Sequence, residues 1–376
     1  MILPRLSRTR AGISQHSLVS RLGNGLTASG FRQPPSPPEV VVFQPAYGDI
    51  GRPEPLLRPV SFYGLILNQS HVLLNQMMNQ MNESKDADVA PFGALGAAVD
   101  HLTAAFEDAG LENARESARI LVCRAVGVGK LELLTSPSRK LSGRDIDKIK
   151  GFMLRRLARE PVTRIEGQRD FWTVTLEIRP GVLDPRADTE RLVEVSLSNI
   201  KPEQGQHQKI LDVGIGSGAI LCALLMDLPN ATGVGIDIST DACEAAEKNL
   251  SDLNLAFRSR VLLADFSTFA ETGFDLVVAN PPYIRSEEIA ALDPEVADYD
   301  PVVALDGGAD GLDAYRVISA RLPIWLKPNG FFALEIGHDQ AAPVIALLRE
   351  AGLQGVTLTK DYNGLDRVVS GTKAPI

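Results

Sequence analysis

Cysteine is scarce in this chain: three residues in 376, at positions 123, 222 and 243, with no shared metal-ligand spacing. That scatter argues against a disulfide framework and favours free thiols in a reducing compartment. The five histidines are equally dispersed, so no bound metal is expected. No stretch approaches the ~18 consecutive apolar residues of a membrane-spanning helix. The richest run, VSFYGLIL, is too short, and no membrane association is expected. Lysine is missing altogether from residues 1–80, which hold seven arginines and three acids, a net of +4. With a total of −9, the remainder carries −13, and an acidic body is poorly suited to gripping nucleic acid by its phosphates alone.

What is present divides into unlike parts. The 44% hydrophobic and 23% charged content is that of a soluble globular protein, long enough for two domains. Residues 1–80 contain nine of the 24 prolines and little periodicity, so residues 1–85 read as a disordered extension. Two origins compete. An arginine-rich, acid-poor start resembles an organelle transit peptide. Alternatively, translation starts at Met77, Met78 or Met81 and the upstream residues come from an overlong gene assignment. The second is preferred, because the prolines spoil an amphipathic helix. The expected location is the cytoplasm, or the mitochondrion if the extension is a transit peptide.

Residues 86–163 turn helical. LENARESARILVCRAVG spaces its apolar residues by three and four. LSGRDIDKIKGFMLRRLARE opens with Ser142 and Asp145 as a capping-box pair and aligns Ile146, Ile149, Met153 and Leu157 on one stripe. This region reads equally well as a plain helical bundle and as a partner-recognition domain. Residues 164–184 alternate and carry Gly and Pro near both ends, which predicts a β-hairpin linker. From 185 to 376, strand and helix patterns alternate: KILDVG, SGAILCALLMDL, GVGIDI, STDACEAAEKNLSDL, VLLAD, FDLVVAN, DAYRVISARLPIWL, then FFALEIG after a KPNG turn. The fold class expected is α/β, a parallel doubly wound sheet with helices on both faces and ligands at the carboxyl ends of its strands.

DVGIGSGAI runs from strand to helix with glycines at 214, 216 and 218. Their G-x-G-x-G spacing differs from that of dinucleotide binders, and no Lys-Ser/Thr follows as in a P-loop. Asp237 ends the next strand, placed to accept from both ribose hydroxyls. Asp265 ends the third, where a carboxylate can accept from an adenine amine while Phe266 faces the ring. A nucleoside pocket without a phosphate cradle points to S-adenosylmethionine. At the fourth strand end stands Asn280-Pro281-Pro282-Tyr283. A planar nitrogen, amide or base amine, is a poor nucleophile because its lone pair is delocalised. Two acceptors, the Asn280 side-chain carbonyl and the Pro281 backbone carbonyl, could hold its two N–H bonds and turn the lone pair toward a methyl donor, while Tyr283 stacks on the group. No strong general base is needed, since methylation acidifies the nitrogen's proton. These residues alone leave amide and base amine open.

Taken together, REPVTRIEGQRDFW, DPRADTERLVE, DVGIGSGAI, GIDIS, LLADF, VVANPPYI, GGADGLDAYR, NGFFALEIG and DRVVSG closely resemble the HemK/PrmC protein-glutamine methyltransferases over about residues 90–372. That family modifies the glutamine of the Gly-Gly-Gln motif in peptide-chain release factors. The resemblance implies a class I S-adenosylmethionine-dependent methyltransferase, with a Rossmann-like seven-stranded sheet, an N-terminal helical bundle and a β-hairpin linker. It also implies class 1 release factors as partners, with no direct nucleic-acid requirement; the expected state is a monomer. It assigns cofactor contacts to Gly214, Ile215, Gly216, Ser217, Gly218, Asp237, Phe266 and Asn280, to which the strand-end reading above adds Asp265. It assigns the substrate glutamine to Asn280, Pro281, Pro282 and Tyr283, with Asn280, Pro281 and Tyr283 as the catalytic set. Two positions depart: Ala187 where the family usually has proline, and Phe266 where some members have tryptophan. Methylation of a DNA or RNA base amine is the alternative activity, disfavoured by the low positive charge and by the lack of an added target-recognition domain after Tyr283. A non-catalytic cofactor-binding scaffold is disfavoured by the intact Asn280 and Tyr283. Glu335 and His338, at the end of a late strand, read as structural.

Overall fold

The computed structural model describes residues 90–200 and 207–375. Expectations for residues 1–85, including a start at Met77, Met78 or Met81, lie outside the described residues. The chain first forms five helices, α1 (Leu95–Asp108), α2 (Ala114–Val126), α3 (Lys130–Thr135), α4 (Gly143–Leu157) and α5 (Val162–Glu166). A hairpin follows, β1 (Gln168–Phe171) and β2 (Val174–Glu177), then α6 (Glu190–Asn199). The alternating part runs β3 (Lys209–Val213), α7 (Ala219–Asp227), β4 (Thr232–Asp237), α8 (Thr240–Asp252), β5 (Ser259–Leu263) and β6 (Phe274–Ala279). It continues through α9 (Pro294–Ala297), α10 (Asp313–Trp325), β7 (Leu326–Glu335), α11 (Ala341–Glu350), β8 (Gln354–Lys360) and β9 (Asp366–Thr372).

Local sequence explains the helical part. Ser142 and Asp145 form the reciprocal cap at the start of α4: the Ser142 N–H donates to Asp145 Oδ2 at 3.0 Å and the Asp145 N–H to Ser142 Oγ at 3.3 Å. Hydrogen bonds from the Ser142 hydroxyl, at 2.7 Å, and then from its N–H hold the Asp145 carboxyl below its ordinary range. Ile146, Ile149 and Met153 are buried on one stripe, with Leu157 partly buried beside them. Together with Leu102, Phe106 and Leu121 they form a hydrophobic cluster distinct from the two on either face of the large sheet. The hairpin packs on the sheet instead, burying Phe171, Val174 and Leu176 against α6 and α7. Asn249 ties it there, accepting from the Glu177 N–H at 2.8 Å and donating to the Glu177 and Ser217 carbonyls.

The large sheet has seven strands in the order β5-β4-β3-β6-β7-β9-β8. It departs from the all-parallel expectation at one strand: β9 runs antiparallel to both β7 and β8. The tight turn at Asp361–Gly364, where the Asp361 carboxylate accepts from the Asn363 and Leu365 N–H groups, permits only an antiparallel return. KPNG is likewise no simple turn before a strand. It bulges within β7, where the register slips from Phe274↔Leu326 to Leu276↔Phe331 and Asn329 takes φ +62°. The thiols of Cys123, Cys222 and Cys243 are free and buried, and burial raises that of Cys222 to about 12. Among the described residues, no helix is long and apolar enough to cross a membrane, and no group of three His, Cys, Asp or Glu could hold a metal.

Register sets the level of the functional edge. Val213 lies opposite Ile236 and Ala279, and Ala279 lies opposite Leu334. Gly214, Asp237, Asn280 and Glu335 therefore reach the end of the sheet at one height. Two glycines in β4 allow the layer above to seat closely. A Cβ at Gly235 would run into Ile215 Cδ1, and one at Gly233 would meet Leu221 Cδ1 at 2.6 Å.

Candidate active site

A cleft of about 430 Å³ opens over the carboxyl ends of β3, β4, β5 and β6. Its floor is the glycine loop. Gly214 and Gly216 have φ of +72° and +55°, and a Cβ on either would meet nothing within 4 Å. The backbone is thus left-handed where side chains are disfavoured, and bare where a ligand can approach it. The Asp237 carboxylate is aimed by two backbone N–H groups, from Gly216 at 3.0 Å and Ser239 at 2.9 Å. Each oxygen keeps a second lone pair for a ligand hydroxyl. Beyond it stand Ile238, Phe266 and the exposed Asp265. The Ser267 N–H at 2.7 Å holds the Asp265 carboxyl low, so it remains an acceptor at neutral pH. Diol acceptor, apolar ring wall and amine acceptor, in that order, fit a nucleoside.

Asn280 and Pro282 close the same cleft from β6. The turn that carries them is held from beneath. Gln340, 3% exposed, donates from Nε2 to the carbonyls of Tyr283 at 2.9 Å and Gly311 at 3.1 Å. A Cβ at Gly307 would come within 2.8 Å of Tyr283 Cα, and one at Gly311 would strike the Tyr283 carbonyl. Gly307 and Gly311 of GGADGLD are therefore clearance for the Pro-Pro turn. Tyr283 is partly buried, and burial, then the nearby Glu335 carboxyl, raises its hydroxyl to about 12. The phenol stays neutral at physiological pH.

Of the residues assigned from sequence, Gly214, Gly216, Asp237, Asp265, Phe266, Asn280 and Pro282 line the cleft. Ile215, Ser217, Gly218, Pro281 and Tyr283 do not. Ile215 turns its buried side chain onto Gly235, and the Ser217 carbonyl serves Asn249. Gly218, at φ +81°, gives clearance over Ala246 of α8. Pro281 is buried, and Tyr283 packs behind the turn on the core of one sheet face. Asp265 lies two residues past the end of β5, in the loop. His338 is exposed, whereas Glu335 is 1% exposed.

Sequence reasoning missed a set of ion pairs linking the helical region to the cleft wall. Asp300 is buried and accepts from Arg164 Nη2 and Arg186 Nη2, each at 2.6 Å. Arg164 also donates to the Arg179 and Val182 carbonyls. Nearby, Arg156 and Arg159 share Glu295, and the Tyr299 hydroxyl donates to the Ala158 carbonyl. Directly after Asp300, Pro301, Val303 and Ala304 line the cleft. No local spacing signals these pairs, since the partners lie more than 100 residues apart.

A twisted, mostly parallel seven-stranded sheet with an antiparallel β9 between β7 and β8, and a nucleoside-type cleft at its carboxyl edge, defines a class I methyltransferase. Residues 97–167 match the family described as PrmC N-terminal domain, and residues 189–293 the family described as Methyltransferase small domain. A release factor glutamine methyltransferase of Caulobacter vibrioides is 43% identical over 75% of this chain and 96% of its own length. One from Rhodospirillum rubrum is 42% identical over 73% and 83%. Among solved structures, a methyltransferase from Pyrococcus furiosus aligns with a TM-score of 0.40 at 16% identity, over 53% of this chain and 88% of its own. The chain belongs to the HemK/PrmC family of release factor glutamine methyltransferases.

Proposed function

We propose that this enzyme transfers a methyl group from S-adenosylmethionine to the side-chain amide nitrogen of the glutamine in the Gly-Gly-Gln motif of class 1 release factors. The observation that carries the reading is the Asn280-Pro281-Pro282-Tyr283 turn, opening into the same cleft as the glycine loop. The names of the relatives support the acceptor. Bound in the cleft, S-adenosylmethionine would supply an activated methyl group. Gly214 and Gly216 give its backbone seat, Asp237 takes the ribose hydroxyls, Asp265 the adenine amine, and Phe266 the ring face. Ile215, Ser217 and Gly218 shape that seat from behind. On the acceptor side, Asn280 and the Pro281 carbonyl hold the amide hydrogens, Pro282 stiffens the turn and Tyr283 braces that turn from behind. The helical residues 86–163 serve as the surface that recognises the release factor, with residues 164–184 as the linker and residues 185–376 as the catalytic domain.

The test incubates the recombinant protein with radiolabelled cofactor and, separately, release factors, their Gln→Ala forms, DNA and RNA. Label is expected on the intact release factor alone; label on nucleic acid and none on release factor would reverse the assignment. A second prediction concerns the cofactor. Asp237→Ala removes charged hydrogen bonds and is expected to weaken S-adenosylhomocysteine binding roughly ten- to a hundredfold by calorimetry. Unchanged affinity would move the ribose site elsewhere.

A further inference from the structure

We propose that Glu335 acts as a positioning residue, fixing through Thr189 which end of the Asn280 amide faces the acceptor. The inference rests on the acceptor role of Asn280 given above. Asn280 follows β6 and Glu335 ends β7, and the register Ala279↔Leu334 makes them neighbours at the sheet edge. Thr189, 3% exposed, stands between them. Its hydroxyl lies close enough to the Glu335 carboxyl to pull that group's pKa down, and its oxygen accepts from Asn280 Nδ2 at 3.2 Å.

A hydroxyl owns one hydrogen. An ionised carboxylate can only accept, so on this proposal it draws that hydrogen, and Thr189 offers Asn280 nothing but lone pairs, as the observed Asn280 Nδ2 contact has it. A flipped amide would set Asn280 Oδ1 against the Thr189 oxygen with no hydrogen between them. The relay therefore turns the NH₂ inward and Oδ1 toward the cleft, as an acceptor for the substrate N–H. The second Glu335 oxygen, Oε2, is buried without a hydrogen-bond partner, an expensive arrangement for a residue that merely fills space.

The relay is also sensitive to protons. Burial pushes the Glu335 carboxyl up to about 7. Thr189, Arg367 and Arg186 pull against burial, Asp188 adds to it, and Tyr283 and Tyr315 are the other titratable groups close by. A protonated Glu335 can donate to Thr189, which frees the threonine hydrogen to point at Asn280 and reverses the amide. Activity is thus full above the carboxyl's pKa and declines as pH falls through it.

Four proteins test this: wild type, Glu335→Gln, Thr189→Val and the double variant, with Thr189→Ser as the conservative control. Glutamine keeps the volume of Glu335 but can donate, as a carboxylate cannot. Glu335→Gln and Thr189→Val are each expected to lower kcat roughly ten- to a hundredfold, since misaimed reacting groups cost rates of that order. Melting temperature and S-adenosylhomocysteine affinity should stay near wild type. The double variant should be no slower than Thr189→Val, Thr189→Ser should recover most of the rate, and Glu335→Gln should lose the acid limb of the kcat–pH profile. Multiplying losses in the double variant, or a Glu335→Gln protein with wild-type kcat and pH profile, would overturn the proposal. A readout independent of turnover is the ¹⁵N side-chain amide pair of Asn280, assigned through Asn280→Asp. Its shifts should move together in Glu335→Gln and Thr189→Val. Unmoved shifts refute the relay whatever the activity. Moved shifts in an enzyme that leaves release factors unlabelled keep the relay and refute the assigned acceptor.

Discussion

Replacing Asn280 by alanine is expected to abolish turnover while leaving the cofactor bound. The side chain supplies one of two acceptors proposed to hold the substrate nitrogen, and loss of one preorganised hydrogen-bonding group typically costs about 10²–10³ in kcat. The backbone of the turn should survive, because its support comes from Gln340 and the clearance at Gly307 and Gly311, not from the Asn280 side chain. Asn280 forms one part of the cleft wall, while the glycine loop and Asp237 lie on other strands. Affinity for S-adenosylhomocysteine should therefore fall only several-fold, on the order of one lost neutral hydrogen bond. Single-turnover methylation beside calorimetry separates the two effects. A variant with wild-type turnover would remove Asn280 from the mechanism.

Asp300→Ala is expected to be the most damaging single change to stability. Asp300 is the shared counter-ion of Arg164 and Arg186, and the Arg164 side chain is only 6% exposed. Removing one partner from a buried pair strands the other charge, at about 3–5 kcal/mol. For a protein of this size that corresponds to a fall in melting temperature of roughly 6–20 °C. Because Pro301, Val303 and Ala304 follow directly, the cleft wall should loosen as well, and KM should rise. Asp300→Asn, which keeps acceptor capacity on one oxygen, should lose less. Calorimetric melting of the three proteins decides it; an Asp300→Ala protein that melts with wild type would show that the pairs contribute nothing net.

The parts of the site that were legible in the sequence are those written by neighbours along the chain. Gly214, Gly216 and Asp237 announce themselves because a strand, a glycine turn and a second strand end occur in one short stretch. Asn280 is legible because two prolines cannot continue a β-strand. By contrast, the Asn280–Thr189 contact spans 91 residues, and the Asp300 pairs span 136 and 114. Nothing local distinguishes Thr189 from any threonine opening a helix, or Glu335 from an acid at a strand end. Their meaning comes from the strand order, which puts β6 beside β7. Strand β8 escaped notice for a different reason: as an edge strand it is mostly exposed and carries no continuous apolar run. The antiparallel β9 was hidden because burial on both faces makes VVSG look like any central strand.

That strand has a consequence for how the protein is made. Of the seven strands in the sheet, β9 is translated last, yet it occupies an interior place between β7 and β8. A ribosome delivering the chain in order thus leaves β7 with one open flank while α11, β8 and the turn at Asp361–Gly364 emerge. During that interval its unpaired N–H and C=O groups are a template for wrong partners. The Arg367 that β9 brings beside Glu335 arrives only when the hairpin slots in. The proposed acceptor side of the cleft is therefore completed only after β9 has emerged, well after the glycine loop has been laid down.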